Sequence, residues 1–413
     1  MTLTLENNES RQLGTAAGEG RGGHARVRIL DAVADFEEYR DAWAAWSNRP
    51  EAGLDLFVIH LRHAQGVIRP FVMVVSRNGS PDCILVGWLE QSSLAFKVGA
   101  FILFRSNARV LRFMDGGFLG NQSLENSRLL IGEIMRSLQN QDFQAVQFSQ
   151  LRLDSPLHAL ARREPNLFCR DHFVPVQTHR YLVLPSDFEE YFRGLSKKSR
   201  QVLKRSARLL ARDFPGKARF QSIRNERDAE DFIRMADEIS RKTYQRALGV
   251  GFVDNLETRE KVRAAAQNAT LRACLLYVDE QPIAFAWGLV SNKTLYGNSM
   301  GFDPEFKKYR PGLQTLMHLI EESFEPNGSL LRIDAGCGDP PYKRRLFRSS
   351  WKEHPVWIFA PTARGLQLHA LKMISTMLHF FAMSLLAKSD LLRKARKIWR
   401  RKVVREFQRG CAT

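Results

Sequence analysis

The sequence predicts an α/β protein: two tandem mixed-sheet domains followed by a C-terminal helical tail. Residues 294–343 run strand, turn, helix, strand, turn, short helix, with glycine at both turns. Residues 26–175 repeat that order more coarsely. Residues 366–387 are largely apolar, and 388–409 are densely basic. The expected organisation is a disordered N-terminus (1–25), a first domain (26–175), a second domain (176–362) and an amphipathic, basic helical tail (363–413).

The 413 residues suffice for two or three domains, and 44% hydrophobic and 10% aromatic content suits packed cores. A formal net charge of +18 favours anionic partners. Cys83, Cys169, Cys274, Cys337 and Cys411 show no paired spacing, which speaks against a disulfide framework and a zinc site, so no metal is expected. Cys337 lies in a glycine turn, where a small buried thiol is expected rather than a nucleophile. Residues 1–23 are polar and glycine-rich without the apolar core of a signal peptide, so a cytoplasmic location is expected.

In the first domain, residues 27–30, 68–76, 84–90, 95–104, 110–114 and 145–148 read as strands. Residues 35–46 read as a helix because Phe36, Tyr39, Trp43 and Trp46 recur at helical spacing, and 124–138 as another. The glycine-rich residues 116–120 precede that helix, and the expectation is a degenerate counterpart of the second domain's glycine turn, in a repeat kept for packing and acceptor binding.

The second domain opens with a strand at 178–184 and a helix cap at Ser186. Residues 195–212 form a basic helix with Lys204, Arg208 and Arg212 at successive i+4 steps, and Lys197 and Arg200 on the same side. Val202, Leu203, Leu209 and Leu210 supply its apolar face. Without interleaved aromatics or a DNA-binding motif, no specific nucleic acid is expected. A helix at 227–244 and hairpin strands at 271–278 and 282–290 lead into the strand through Tyr296.

At the next turn, Pro311 presets φ for a first helical turn, and Gly312 lets the backbone approach a ligand. The N–H groups from Gly312 to Thr315 are expected to point unpaired from the helix N-terminus, with Lys307, Lys308 and Arg310 just upstream. That combination suits a diphosphate, and equally an ordinary solvated turn.

Phe302-Asp-Pro-Glu-Phe, Tyr309-Arg-Pro-Gly, Asp334 and Gly338-Asp-Pro-Pro-Tyr-Lys together resemble the C-terminal signature of the CelD/BcsL-type acetyltransferases. These are also described as BioF2-like and belong to the GNAT superfamily. Their layout is similar to that of the Fem-type aminoacyl transferases, which hold two GNAT folds in tandem. The resemblance covers residues 30–362 and is stronger in the second half. Arg310 stands where the family often has a small hydroxyl residue, and Phe302 where it often has tyrosine.

The resemblance implies acetyl-CoA or another acyl-CoA as co-substrate. Its pyrophosphate would lie on Tyr309, Arg310, Pro311, Gly312, Leu313 and Gln314, and its pantetheine arm between splayed strands near Tyr296 and Arg332. Acyl transfer to an amine also needs a proton for the departing thiolate and an acceptor for the amine's proton. Many GNAT enzymes use a tyrosine at the start of the last helix as general acid, and Tyr342 stands at the comparable place. Asp334, at its strand end, is the candidate proton acceptor, directly or through water. Asp339 is a second carboxylate, with turn capping as its structural role. Lys343, Lys197, Arg200 and Lys204 are candidate contacts for an anionic acceptor. The expected function is N-acyl transfer onto an amine, such as a sugar-linked amine in cell-surface polysaccharide synthesis. The alternatives are a Fem-type transferase using aminoacyl-tRNA and a non-catalytic accessory protein of a synthesis complex.

In the tail, His369, Lys372, Thr376 and His379 form one narrow polar stripe on an otherwise apolar helix. The run is too short and too interrupted for a membrane span. Either it lies with the basic segment on an anionic membrane surface, as a peripheral contact, or its apolar face packs on protein.

Overall fold

The computed structural model describes residues 25–98, 101–140, 143–174, 176–243, 246, 251–325 and 330–387. Residues 1–24 of the expected disordered N-terminus and the basic segment 388–409 fall outside the described residues, while Ala25 begins a strand. The first half contains β1 (Ala25–Leu30), α1 (Arg40–Trp46), α2 (Leu54–His63), β2 (Val67–Pro70), β3 (Val72–Arg77), β4 (Ser80–Val98), β5 (Phe101–Gly120), α3 (Leu124–Asn140), β6 (Ala145–Arg152) and α4 (Pro156–Arg163). The second contains β7 (Gln177–Val183), α5 (Phe188–Gly194), α6 (Lys197–Asp213), β8 (Ala218–Ile223), α7 (Glu226–Arg241), α8 (Leu256–Gln267), β9 (Leu271–Val278), β10 (Gln281–Ser291) and β11 (Thr294–Phe302). It ends with α9 (Pro311–Glu322), β12 (Arg332–Cys337), α10 (Pro341–Leu346), β13 (Ser349–Phe359) and α11 (Ala363–Ala387).

Among the described residues all strands join one sheet, in the order β1-β3-β4-β5-β6-β13-β7-β12-β11-β10-β9-β8, with β2 on β4. Each half is an antiparallel meander that feeds a helix and then a parallel strand. In the first half β5 and β6 pair from Val110↔Ala145 to Phe113↔Phe148. In the second, β11 and β12 pair from Thr294↔Arg332 to Tyr296↔Asp334. Beyond those short parallel ladders the two strands of each pair diverge. The central strands β7 and β13 are antiparallel to each other, and β13 also pairs with β6, so the last strand completes the sheet of the first half.

Three local readings change. Residues 95–104 and 110–114 are not separate strands: they belong to one long hairpin, because β4 and β5 stay paired out to Val98↔Phe101. Residues 116–120 are not a turn but the end of β5, still paired to β4 at Cys83↔Gly120; Gly116 and Gly120 take φ of 70° and 78° there. The 35–46 helix begins as a 3-10 turn over Val33–Tyr39, and the α-helix itself is α1.

Helices cover both faces of the sheet. One face of the first half packs on α3 and α4 around Phe71, Phe113, Phe148 and Ile358. The other packs on α1 and α2 around Trp43 and Phe57. In the second half α7 and α8 cover β9 and β10. Residues of α5, α6, α9 and α10 close over β7 and β12. The Phe113 ring stacks on Phe148 at 4.9 Å and meets Phe71 edge-on at 6.4 Å. Phe113→Ala should therefore cost about 3–5 kcal/mol in urea unfolding, and a loss below about 1 kcal/mol would contradict this packing.

Candidate active site

A cleft of about 220 Å3 opens beside the diverging end of β11. Its walls come from Ser199, Val202 and Leu203 of α6, Met300 and Phe302 of β11, Lys307, and Arg310, Gly312 and Leu313 at the start of α9. Tyr342, Arg345 and Leu346 of α10 complete it. Four of the residues singled out by sequence, Arg310, Gly312, Leu313 and Tyr342, thus share one cavity.

Arg310 is the N-cap residue of α9 and sits in the left-handed region, φ 53° and ψ 48°, with no side-chain cap on the helix. Its carbonyl accepts from the Leu313 and Gln314 N–H groups at 3.0 and 3.2 Å. This corrects the expected row of free donors: the Leu313 and Gln314 N–H groups are taken up inside the helix, because the carbonyl of an N-cap residue accepts the first intrahelical bonds. Gly312 remains at the cleft wall, where an added Cβ would meet Met300 and Phe302, each at 3.2 Å.

Tyr309, Gln314 and Pro311 support this loop from behind. The buried Tyr309 donates its hydroxyl to Asp213 at 2.9 Å. Asp213 falls to about 2, chiefly through Arg212, with Tyr309 and Lys308 adding. The buried Gln314 amide donates to the Tyr309 carbonyl at 2.7 Å, and Pro311 is buried beside it. In the first half the corresponding helix α3 is capped instead: the Ser123 hydroxyl accepts from the Asn126 N–H at 3.2 Å.

Lys197, Arg200 and Lys204 lie on another face of α6 and do not line the cleft. Lys197 is exposed, Arg200 donates to the Arg193 carbonyl, and Lys204 sits 5.6 Å from the Phe192 ring centre. The Lys343 ammonium donates to the Cys337 carbonyl at 2.8 Å, and burial pulls its pKa down. Cys337 contacts Gln177, and burial pushes its thiol up to about 12, as expected of a structural thiol. Asp339 accepts from Arg180 at 2.9 Å.

Asp334 belongs to a cluster that sequence reasoning missed. His179 of β7, fully buried, places Nε2 2.6 Å from Asp334 and Nδ1 2.9 Å from Glu353 of β13. Its ring stacks on Trp351 at 4.0 Å, and the Trp351 indole N–H donates to Glu353 at 3.1 Å. Asp334 also accepts from the Gly336 N–H at 2.8 Å and faces Arg49 at 3.7 Å. Arg49, from the first half, pairs with Asp115 of β5 at 2.9 Å and lies over the Tyr296 ring at 5.4 Å.

Burial alone would depress the His179 pKa, but hydrogen bonds to both carboxylates outweigh it, and the net shift is upward. Burial pushes Asp334 and Glu353 the other way, yet His179 leaves both below the usual carboxylate range. Asp115 behaves differently: burial exceeds the pull of Arg49 and lifts it to about 6. No short motif marks this cluster, because Arg49, Asp115, His179, Asp334 and Glu353 are far apart in the chain.

Residues 197–344 match the family model described as acetyltransferase (GNAT) domain. A search of curated proteins found no match. Among solved structures the chain is similar to FemX at 10% identity, covering 81% of this chain and 97% of that one, with a TM-score of 0.52. It is also similar to a tandem GNAT protein from the clavulanic acid biosynthesis pathway (11% identity, 82% and 100% covered, TM-score 0.49). A conserved protein of unknown function from Bacteroides thetaiotaomicron VPI-5482 is a third such structure (12%, 81% and 100%, 0.46). Residues 197–344 thus match a GNAT acetyltransferase domain, and the likeness to FemX is one of fold, in a chain that here repeats a meander, helix and parallel strand in each half and ends in a C-terminal helix.

The His179 cluster makes stability depend on pH. The folded pKa of His179 lies above its unfolded value of about 6.5, so its contribution is complete below that pH and fades as pH rises through the raised value. The depressed carboxylates contribute above their unfolded values of about 4 and lose that in acid. His179→Gln should cost about 3–5 kcal/mol at pH 6 and distinctly less at pH 9 in urea unfolding. Equal losses at the two pH values would contradict the charged pairing.

Proposed function

We propose that the protein transfers an acyl group, acetyl in the first instance, from coenzyme A to an amine. One observation carries this reading: an uncapped helix N-terminus, with Arg310 in left-handed geometry and Gly312 in the cleft wall, shares that cleft with Lys307, Arg345 and the hydroxyl-bearing Tyr342. Three cations and a helix dipole suit the pyrophosphate and the remaining phosphate of the cofactor. The diverging β11 and β12 leave room for the pantetheine arm.

In the proposed step the amine nitrogen attacks the thioester carbonyl carbon and the C–S bond breaks. Tyr342 gives its phenolic proton to the departing thiolate, and a carboxylate takes the amine's proton. Asp334 is held by His179 and the Gly336 N–H beside Arg49, and its depressed pKa makes it a weak acceptor. Asp115 pairs with Arg49 from the other side at 2.9 Å, and burial outweighs that partner and lifts it to about 6. We assign proton acceptance to Asp115 and the positioning of Arg49 and the turn at Gly336 to Asp334. Lys343 stiffens that turn, while Lys197, Arg200 and Lys204 offer charge to an anionic acceptor outside the cleft. The sugar-linked amine of cell-surface polysaccharide synthesis rests on the signature residues between Phe302 and Lys343.

Calorimetric titration with acetyl-CoA tests this reading. Wild type should bind, and the Arg310→Ala, Gly312→Asp double variant should not, with both folds confirmed by circular dichroism. Absence of binding to well-folded wild type would turn the assignment toward aminoacyl-tRNA or an accessory role. With a panel of amino sugars as acceptors, Tyr342→Phe should keep acetyl-CoA affinity and slow thiol release about 100-fold or more. The acid limb of kcat/KM near pH 6 should disappear in Asp115→Asn; an unchanged limb would remove the base role from Asp115.

A further inference from the structure

Helix α11 is amphipathic in the reverse sense of a helix that packs on its own protein. Leu368 and Leu371 anchor its start against Phe96, Val110 and Phe359. From there on, polar side chains face the protein: Lys372 reaches Asp171 at 3.2 Å, Ser375 is buried, and the His369 ring packs 5.2 Å from Phe359. The apolar side chains face outward instead, with Ile374 54%, Met377 50% and Phe381 65% exposed. A stripe of this kind, left open along a helix of 25 residues, is uncommon in a protein with no partner for it.

The stripe does not stand alone. Residues 91–98 of β4 and 101–109 of β5 pair with each other beyond the rest of the sheet, forming a two-stranded ribbon. Arg364 ties the base of the ribbon to α11 through the Ser106 hydroxyl at 2.7 Å. Farther along, Ala95 and Lys97 share a crevice with Lys372 and Thr376. The same ribbon leaves Ile102 and Leu103 of β5 exposed as well.

Residues 91–109 and 363–387 contain no aspartate or glutamate. The exposed cations Lys97, Arg105, Arg109 and Arg364 accompany the apolar surface. The segment that follows, 388–413, carries ten lysines or arginines against two acidic residues. Among the described residues no helix is long and apolar enough to cross a membrane. Apolar side chains with basic residues around them, and no acid between, match the headgroup region of an anionic bilayer. We infer that the outer stripe of α11, together with the exposed Ile102 and Leu103 of the ribbon, docks the protein onto anionic phospholipid membrane. The inference goes beyond the acyl-transfer reading and does not depend on it.

Co-sedimentation of the full-length protein with phosphatidylglycerol vesicles and with pure phosphatidylcholine vesicles tests it. Wild type should sediment with the anionic vesicles and about tenfold less with the neutral ones. Leu103→Ser combined with Phe381→Ser, both at exposed positions, should keep the melting temperature and weaken binding to the anionic vesicles about tenfold or more. Wild type that stays in the supernatant overturns the inference. So does a double variant that sediments like wild type, since basic charge alone would then explain binding. Sedimentation velocity decides against it as well if wild type is a dimer that the double variant dissociates while vesicles capture neither, because the surface would then belong to a second copy of the chain.

Discussion

One histidine carries the constraint on which the rest of the molecule depends. His179 lies on β7, between β12 and β13, and its two ring nitrogens reach a carboxylate on each neighbouring strand. Two buried carboxylates on adjacent strands of one sheet would repel each other and lack hydration; an imidazolium between them removes both difficulties. Stacking on Trp351 fixes the ring's plane, so the nitrogens have little freedom to seek other partners. These strands form the seam between the halves, and Arg49 extends the charge network across it to Asp115. Where β12 sits relative to β11, and hence where the strands diverge, follows from this seam.

The two halves show how a small difference at one helix end separates scaffold from site. Both have a meander, a helix and a parallel strand. In the first half Ser123 caps α3, and the Ser149 hydroxyl bridges the diverging strands by donating to the Phe113 carbonyl at 3.1 Å. In the second half Arg310 occupies the cap position without a capping side chain, and the strands stay apart beside the cleft. Capping by serine stabilises a helix by about 1 kcal/mol. Its absence at α9 leaves the positive end of the helix available to an anion, and the supports from Tyr309, Asp213 and Gln314 offset that loss.

The sequence was most legible where the candidate site is local. The turn from Arg310 to Gln314, the helix after it and Tyr342 all lie within a short stretch, and proline and glycine punctuate it by fixed stereochemical rules. The His179 cluster was invisible because its members come from β5, β7, β12, β13 and the loop holding Arg49, which only the strand order brings together. The long ribbon was misread as separate strands because alternation reports which side a residue faces but not where a strand ends. The stripe on α11 was found, yet periodicity cannot say which side of a helix meets the protein. Burial decided that, and it put the polar side inward.

Arg310 joins the local and the global parts of the argument. A side chain in the left-handed region is strained by about 1 kcal/mol, and asparagine or glycine would relieve most of that. The strain is tolerated because the loop is determined from both sides. Behind it, the Tyr309 hydroxyl is tied to Asp213 and the Tyr309 carbonyl to the Gln314 amide; in front, Gly312 lies against Met300 and Phe302. The Arg310 carbonyl accepts the first intrahelical bonds from two N–H groups, and the residue itself lines the cleft. The arginine adds a permanent cation there, with planar N–H groups that match phosphate oxygens in pairs. In the proposed function, anion recognition at this helix end rests less on a row of backbone N–H groups than on one arginine held in a conformation that few arginines adopt.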